Sequence, residues 1–167
     1  MVELVQITEQ NGLAVAAVMA RRGVSASQVG AALGGDLPTR PGWTRVGPLT
    51  VTGVGPGAWL VAQPQPAAGW IDGLRASLDG LASVSDQSGA YRHFRIEGPA
   101  ARTLLQRGAP IDLADPVFPV GSAAVTVIAH IDVVLRRLEG EDAFEAAVFR
   151  SMGESFGRWM DATVKGL

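Results

Sequence analysis

The sequence predicts an α+β fold of two pseudo-repeated β-α-β-β-α units, their antiparallel sheets packed into one compact domain. Three observations carry this. A strand–turn–strand pattern occurs twice, at 49–62 and 124–149. A helical pattern follows each, at 67–80 and 151–164. No low-complexity linker separates the halves, 1–85 and 86–167, and SVSDQSG at 83–89 reads as a joint. The halves share this order of elements but negligible residue identity.

In the first half, LAVAAVMA at 13–20 is continuously apolar and short, which suits a buried strand, although its alanines are equally compatible with a helix. Ser25 or Ser27 caps a short helix on which Val29, Ala32 and Leu33 share a face, and Gly34-Gly35 stops it. Pro38, Pro41 and Gly42 mark a loop. LTVTGV at 49–54 and AWLVA at 58–62 are joined by Gly55-Pro56-Gly57 as a hairpin. Trp70, Ile71, Leu74, Leu78 and Leu81 recur at helical spacing. Gly69 and Gly73 weaken that helix by about 1 kcal/mol each and are expected to admit another backbone.

In the second half, residues 90–97 alternate, with Phe94 and Ile96 opposed to His93, Arg95 and Glu97. Gly98-Pro99 opens a helix with Ala101, Leu104 and Leu105 as its apolar stripe, proline at the first helical position losing no needed bond. Val125, Val127, Ala129, Ile131, Val133 and Leu135 occupy consecutive odd positions, predicting one long strand with Thr126, His130, Asp132 and Arg136 on its other face. GED at 140–142 turns the chain into AFEAAVF at 143–149. Ser151 and Glu154 form a capping-box pattern ahead of a terminal helix whose face carries Met152, Phe156, Trp159, Met160 and Thr163.

Composition bounds function. Apolar residues make up 47% and charged residues 18%, a charge-poor balance that favours a surface covered by another protein. The net charge of −2, with no long charge runs, offers no footprint for nucleic acid or an anionic membrane. No apolar run approaches the roughly 20 residues a membrane span needs. No signal-peptide pattern is visible, so cytoplasm is the expected location. Without cysteine, disulfides and thiol chemistry are excluded.

Four ordered motif groups lie after residue 85: Asp86 with Ser88; Gly98 to Arg102 with Leu104 and Leu105; Asp112-Leu113 with Phe118, Pro119 and Gly121; and Ala129 to Val133 followed by Arg150, Ser151, Glu154, Ser155 and Trp159. Together with GPGAWLVA at 55–62, they resemble the gamma subunits of heterotetrameric sarcosine oxidases, within the aminomethyltransferase-like fold group. The resemblance implies a non-catalytic structural subunit of an enzyme that oxidatively demethylates sarcosine to glycine, the one-carbon unit leaving as formaldehyde or passing to tetrahydrofolate. It implies alpha, beta and delta subunits as partners. FAD, FMN, NAD and zinc are expected in those partners, with no cofactor, metal or catalytic residue in this chain.

The polar residues that could carry chemistry are few. His130 and Asp132 fall two apart on the expected strand, roughly 7 Å along one face. That spacing permits a relay or half a metal site, but a structural or interface hydrogen-bonding role is expected. Arg92, His93 and Arg95 cluster on a half-exposed strand and could take an anion such as a carboxylate tail; a solvated or partner-facing edge is the plainer reading. Gly53, Gly55 and Gly57 lie in a hairpin turn rather than a dinucleotide fingerprint. Asp112, Asp115, Glu139, Glu141 and Asp142 sit in turns without a carboxylate placed to share a site, Asp112 bracing the 110–119 segment. Trp59, Trp70 and Trp159 are expected in the core, while Trp43, in a proline-rich loop, is the best interface anchor. The competing readings are a stand-alone folate-binding or one-carbon-transfer protein and a self-assembling protein.

Overall fold

The computed structural model describes residues 4–167, so the first three residues of the expected N-terminal half lie outside those described. Among the described residues are ten strands and four α-helices: β1 (Gln6–Gln10), β2 (Leu13–Ala20), α1 (Ala26–Leu33), β3 (Trp43–Val46), β4 (Leu49–Gly55), β5 (Ala58–Pro64), α2 (Trp70–Ser77), β6 (Ala82–Asp86), β7 (Tyr91–Glu97), α3 (Ala101–Gln106), β8 (Ala123–Ile128), β9 (Ile131–Arg137), β10 (Phe144–Phe149) and α4 (Gly153–Val164). They build two compact units. One is Gly12–Gly89; the other is Ala90–Leu167 together with the N-terminal segment through Asn11.

Each unit holds a five-stranded antiparallel sheet, so the α+β class holds. The sheet orders are β3-β4-β5-β2-β6 and β8-β9-β10-β7-β1. These orders are equivalent position by position, and the repeat is β-β-α-β-β-β-α rather than β-α-β-β-α. Its first strand goes to the sheet of the other repeat. β1 pairs antiparallel with β7, from Gln6 opposite Glu97 to Gln10 opposite His93, while β6 pairs with β2. A division between residues 85 and 86 therefore does not separate the units: β1 joins the unit built after residue 89, and the other boundary falls at Gly89–Ala90. QITEQ and ASVSD lack a buried apolar row, so only non-local pairing makes them strands.

In the Gly12–Gly89 unit, Val18, Val29, Val51, Trp59, Val61 and Leu78 form the core. The Trp59 indole donates to the Pro38 carbonyl at 2.8 Å, pinning the proline loop. Ser25 caps α1 in a reciprocal box with Gln28, and Gly34 ends it at φ +93°. The close approach expected at Gly73 is not there: an added Cβ would meet nothing within 4 Å.

In the other unit, Phe94, Ile96, Leu104, Leu105, Leu135, Phe144, Phe156 and Met160 form the core. Two expected helix starts differ. Pro99 lies ahead of Ala100, the N-cap of α3, and α4 follows a 3-10 turn (Arg150–Met152) without a side-chain cap. Glu154 instead accepts from Arg158 one turn on, at 3.0 Å.

The largest correction concerns 123–137. The expected single strand is a hairpin, β8–β9, turning at Ala129 (φ +52°) and His130 (φ +65°), as a type I′ turn requires. Ile128 faces Ile131, so odd positions of β9 pair with even positions of β8. Val133 and Leu135 are buried, whereas Val125 and Val127 project from the opposite face.

Candidate functional site

The sheet containing β7 has one face covered by α3 and α4 and a second face opposite to it. Antiparallel register brings His93 of β7, Glu145 of β10 and Arg136 of β9 to that second face. Nδ1 of His93 lies 3.2 Å from Glu145 Oε1, and the Arg136 guanidinium donates to the same oxygen at 2.6 Å. All three side chains are largely buried. Burial pushes the Glu145 carboxyl up. The His93 hydrogen bond and the neighbouring charges outweigh it and pull the carboxyl down to about 2. Glu145 is thus an ionised anchor held by two neighbours rather than a poised base. Nε2 of His93 is buried without a hydrogen-bond partner.

His93 is therefore not part of a half-exposed anion patch: it is buried, 7% exposed. Arg92 points the other way, since neighbours on a strand alternate. It makes a bidentate pair with Glu9 of β1 and lies over the Phe94 ring, 5.4 Å from its centroid. Arg95 shares the second face with His93 but donates to Glu97 at 2.8 Å. The three residues do not converge on one ligand.

His130 and Asp132 also separate. His130 occupies the β8–β9 turn and is exposed; Asp132 is exposed on β9, opposite Val127. Strand alternation does not relate the two, because His130 is a turn residue at positive φ and Asp132 lies within β9. Trp43 begins β3, paired with Thr52, half-buried rather than in a loop. Trp59 is in the core, and half-buried Trp70 and Trp159 pack against the two cores. No group of three or more His, Asp or Glu side chains able to hold a metal occurs among the described residues.

A second polar cluster was not legible as such. Arg102 binds Asp115 and Asp142 together, and also the Leu113 carbonyl. The buried Arg137 donates to the carbonyls of Leu138 and Ala143 and lies near both carboxylates. Two loop acids therefore share a site, contrary to expectation, but they share it as counter-ions that tie 112–115 to 140–143. Asp112 accepts from the Ala114 N–H at 2.9 Å, the expected brace. Only the G-P-x-A-R motif, through Arg102, hinted at this cluster.

No helix among the described residues is long and apolar enough to cross a membrane. The family model described as "Sarcosine oxidase, gamma subunit family" matches residues 18–165. The sarcosine oxidase subunit gamma of Corynebacterium sp. (strain U-96) is 32% identical over 133 residues, 78% of this chain and 64% of the relative. That of Corynebacterium sp. (strain P-1) is 29% identical over 161 residues, 95% of this chain and 78% of the relative. The chain thus spans just under two thirds of the first relative. Among solved structures, heterotetrameric sarcosine oxidase from Corynebacterium sp. U-96, in complex with pyrrole 2-carboxylate, superposes with a TM-score of 0.87 at 27% identity, over 97% of this chain and 84% of that one. The glycine cleavage system aminomethyltransferase T from Bartonella henselae shares the fold, with a TM-score of 0.66 at 17% identity, over 94% of this chain and 45% of that one.

Proposed function

The chain belongs to the sarcosine oxidase gamma subunit family, and we propose that it is the non-catalytic assembly subunit of a heterotetrameric, flavin-dependent sarcosine oxidase. Its partners are then alpha, beta and delta subunits, which carry FAD, FMN, NAD and zinc, and the complex works in the cytoplasm. The assembly oxidises sarcosine to glycine, and the one-carbon unit leaves as formaldehyde or is taken by tetrahydrofolate.

One observation carries this reading. The backbone follows a chain of a heterotetrameric sarcosine oxidase over 97% of its length, with family-model agreement through residues 18–165. The side chains support it. Arg92, Arg95, Arg102 and Glu145 are each engaged within the chain, as expected of residues that shape a scaffold.

A tag on this chain, pulled from native extract, tests the proposal. Two large flavin-bearing subunits and a small zinc-bearing one should co-purify, with flavin absorbance and sarcosine-dependent peroxide release. A colourless chain recovered alone would overturn it.

A further inference from the structure

We propose that the free edge of β8 is a docking strand, extended in the assembly by an apolar, uncharged segment of a partner subunit. The inference rests on the assembly reading above and names the surface that serves it.

The four outer strands of the two sheets differ in one respect. β1 carries Glu9, β3 carries Arg45 and β6 ends on Asp86, whereas β8 reads Ala-Ala-Val-Thr-Val-Ile with no charge. Charges on an outer strand discourage pairing with other chains, and β8 lacks that protection. The uncharged stretch runs from 116 to 129, and Val117, Val120, Val125 and Val127 within it are all exposed, Val125 at 60% and Val127 at 39%.

The backbone is oriented for addition. Arg137 N–H donates to the Ser122 carbonyl at 2.9 Å, which makes 122 and 137 a bonded pair. Alternation along the antiparallel ladder then bonds 124 to 135, 126 to 133 and 128 to 131. The N–H and C=O groups of Ala123, Val125 and Val127 point away from β9, where no further strand lies among the described residues. An incoming strand would meet the backbone groups of Val125 and Val127, unpaired among the described residues, and the exposed side chains of both valines on one face, the combination used in strand addition.

Area argues for a partner subunit over a second copy of this chain. Six residues extend about 20 Å, and one strand-width of that length falls well short of the roughly 800 Å² per partner of a stable dimer. An edge this short holds a segment whose parent is already bound through other surfaces, as in a multi-subunit complex.

The test compares tagged wild type with Val125→Pro, which removes a donor facing off the sheet, and with Val127→Lys. Ser85→Lys, on the β6 edge, is the charge control. Each β8 variant should recover at least tenfold less flavin per mole of chain from native extract, while Ser85→Lys recovers as much as wild type. Circular dichroism of each purified chain checks that it is folded. Amide hydrogen exchange of wild type needs no variant: in the complex Val125 and Val127 should gain protection over the free chain, and Thr126, already bonded to β9, should not. Unchanged recovery in both variants, or no new protection at 125 and 127, overturns the inference and leaves the assembly reading standing. Protection that grows with concentration of the free chain assigns the edge to a second copy and also overturns it. Recovery of no flavin-bearing subunit by wild type defeats the assembly reading itself, and the docking assignment with it.

Discussion

Arg92 and Glu9 stand 83 positions apart and are joined by two parallel bonds of 2.7 Å each. The pair ties an N-terminal edge strand to a sheet otherwise built after residue 90, so a side-chain contact secures the strand exchange between repeats. The hydrogen bond from Arg92, opposed by slight desolvation, holds the Glu9 carboxyl below its ordinary range. Glu9→Gln keeps the size and loses the charge. With both side chains about one-third exposed, the expected cost is about 1 kcal/mol. That lowers the melting temperature by roughly 2–4 °C. Thermal melts should show this, with faster protease cleavage near Asn11-Gly12 as β1 frays.

Gly153 is glycine because of the same arginine. A Cβ there would lie 2.3 Å from Arg92 Cδ, and Arg92 cannot swing aside while Glu9 holds it. Gly153→Ala, at a non-strained helical position, should therefore destabilise by about 1–3 kcal/mol instead of strengthening α4. Combining it with Glu9→Gln frees the arginine to move. Urea denaturation of the four-member cycle should show a double variant more stable than the sum of single costs, by at least about 0.5 kcal/mol. Simple additivity would refute the linkage.

Glu145 makes the acid limb of stability predictable in sign. Its carboxyl is held down to about 2 in the folded chain against 4.5 ordinarily. The ionised form is favoured by folding, so its contribution is complete above pH 4.5 and is lost as pH falls toward 2. Stability measured by urea denaturation should fall across that window in wild type and fall less in Glu145→Gln. The variant also removes the carboxylate charge to which the largely buried Arg136 guanidinium donates, so at neutral pH it should be less stable by about 3 kcal/mol. Identical slopes for the two proteins would remove Glu145 from the acid response.

Much of this fold was legible where the signal was local. The Ser25 cap, the Gly34 stop, the 49–62 hairpin and the apolar stripes of α3 and α4 each follow from neighbours within a few residues. β1 and β6 were illegible because short polar strands acquire meaning only from a distant partner. The buried trio of His93, Glu145 and Arg136 was hidden for the same reason. These residues lie on three strands, and register across two ladders brings them together. The 125–135 segment misled differently. Its unbroken odd-position alternation hid a two-residue turn that reverses which parity faces the core, and Ala-His is not the Asn-Gly pair that signals such a turn.

That turn gives the sharpest test of whether His130 has any role beyond geometry. At φ +65° it occupies left-handed space that costs an ordinary side chain about 1–2 kcal/mol, and its exposed ring has no partner to lose. His130→Gly should stabilise the chain by roughly 1 kcal/mol after allowing for the greater freedom of glycine when unfolded. Asn, which tolerates this region, should rank next, and β-branched Val should be the worst of the set. Melting temperatures should follow the order Gly, Asn, His, Val, while, under the proposed function, recovery of flavin-bearing subunits and sarcosine-dependent peroxide release stay at wild-type levels in the Gly variant. Loss of turnover in a stabilised His130→Gly protein would instead make the imidazole functional and overturn the reading of this position as a turn residue.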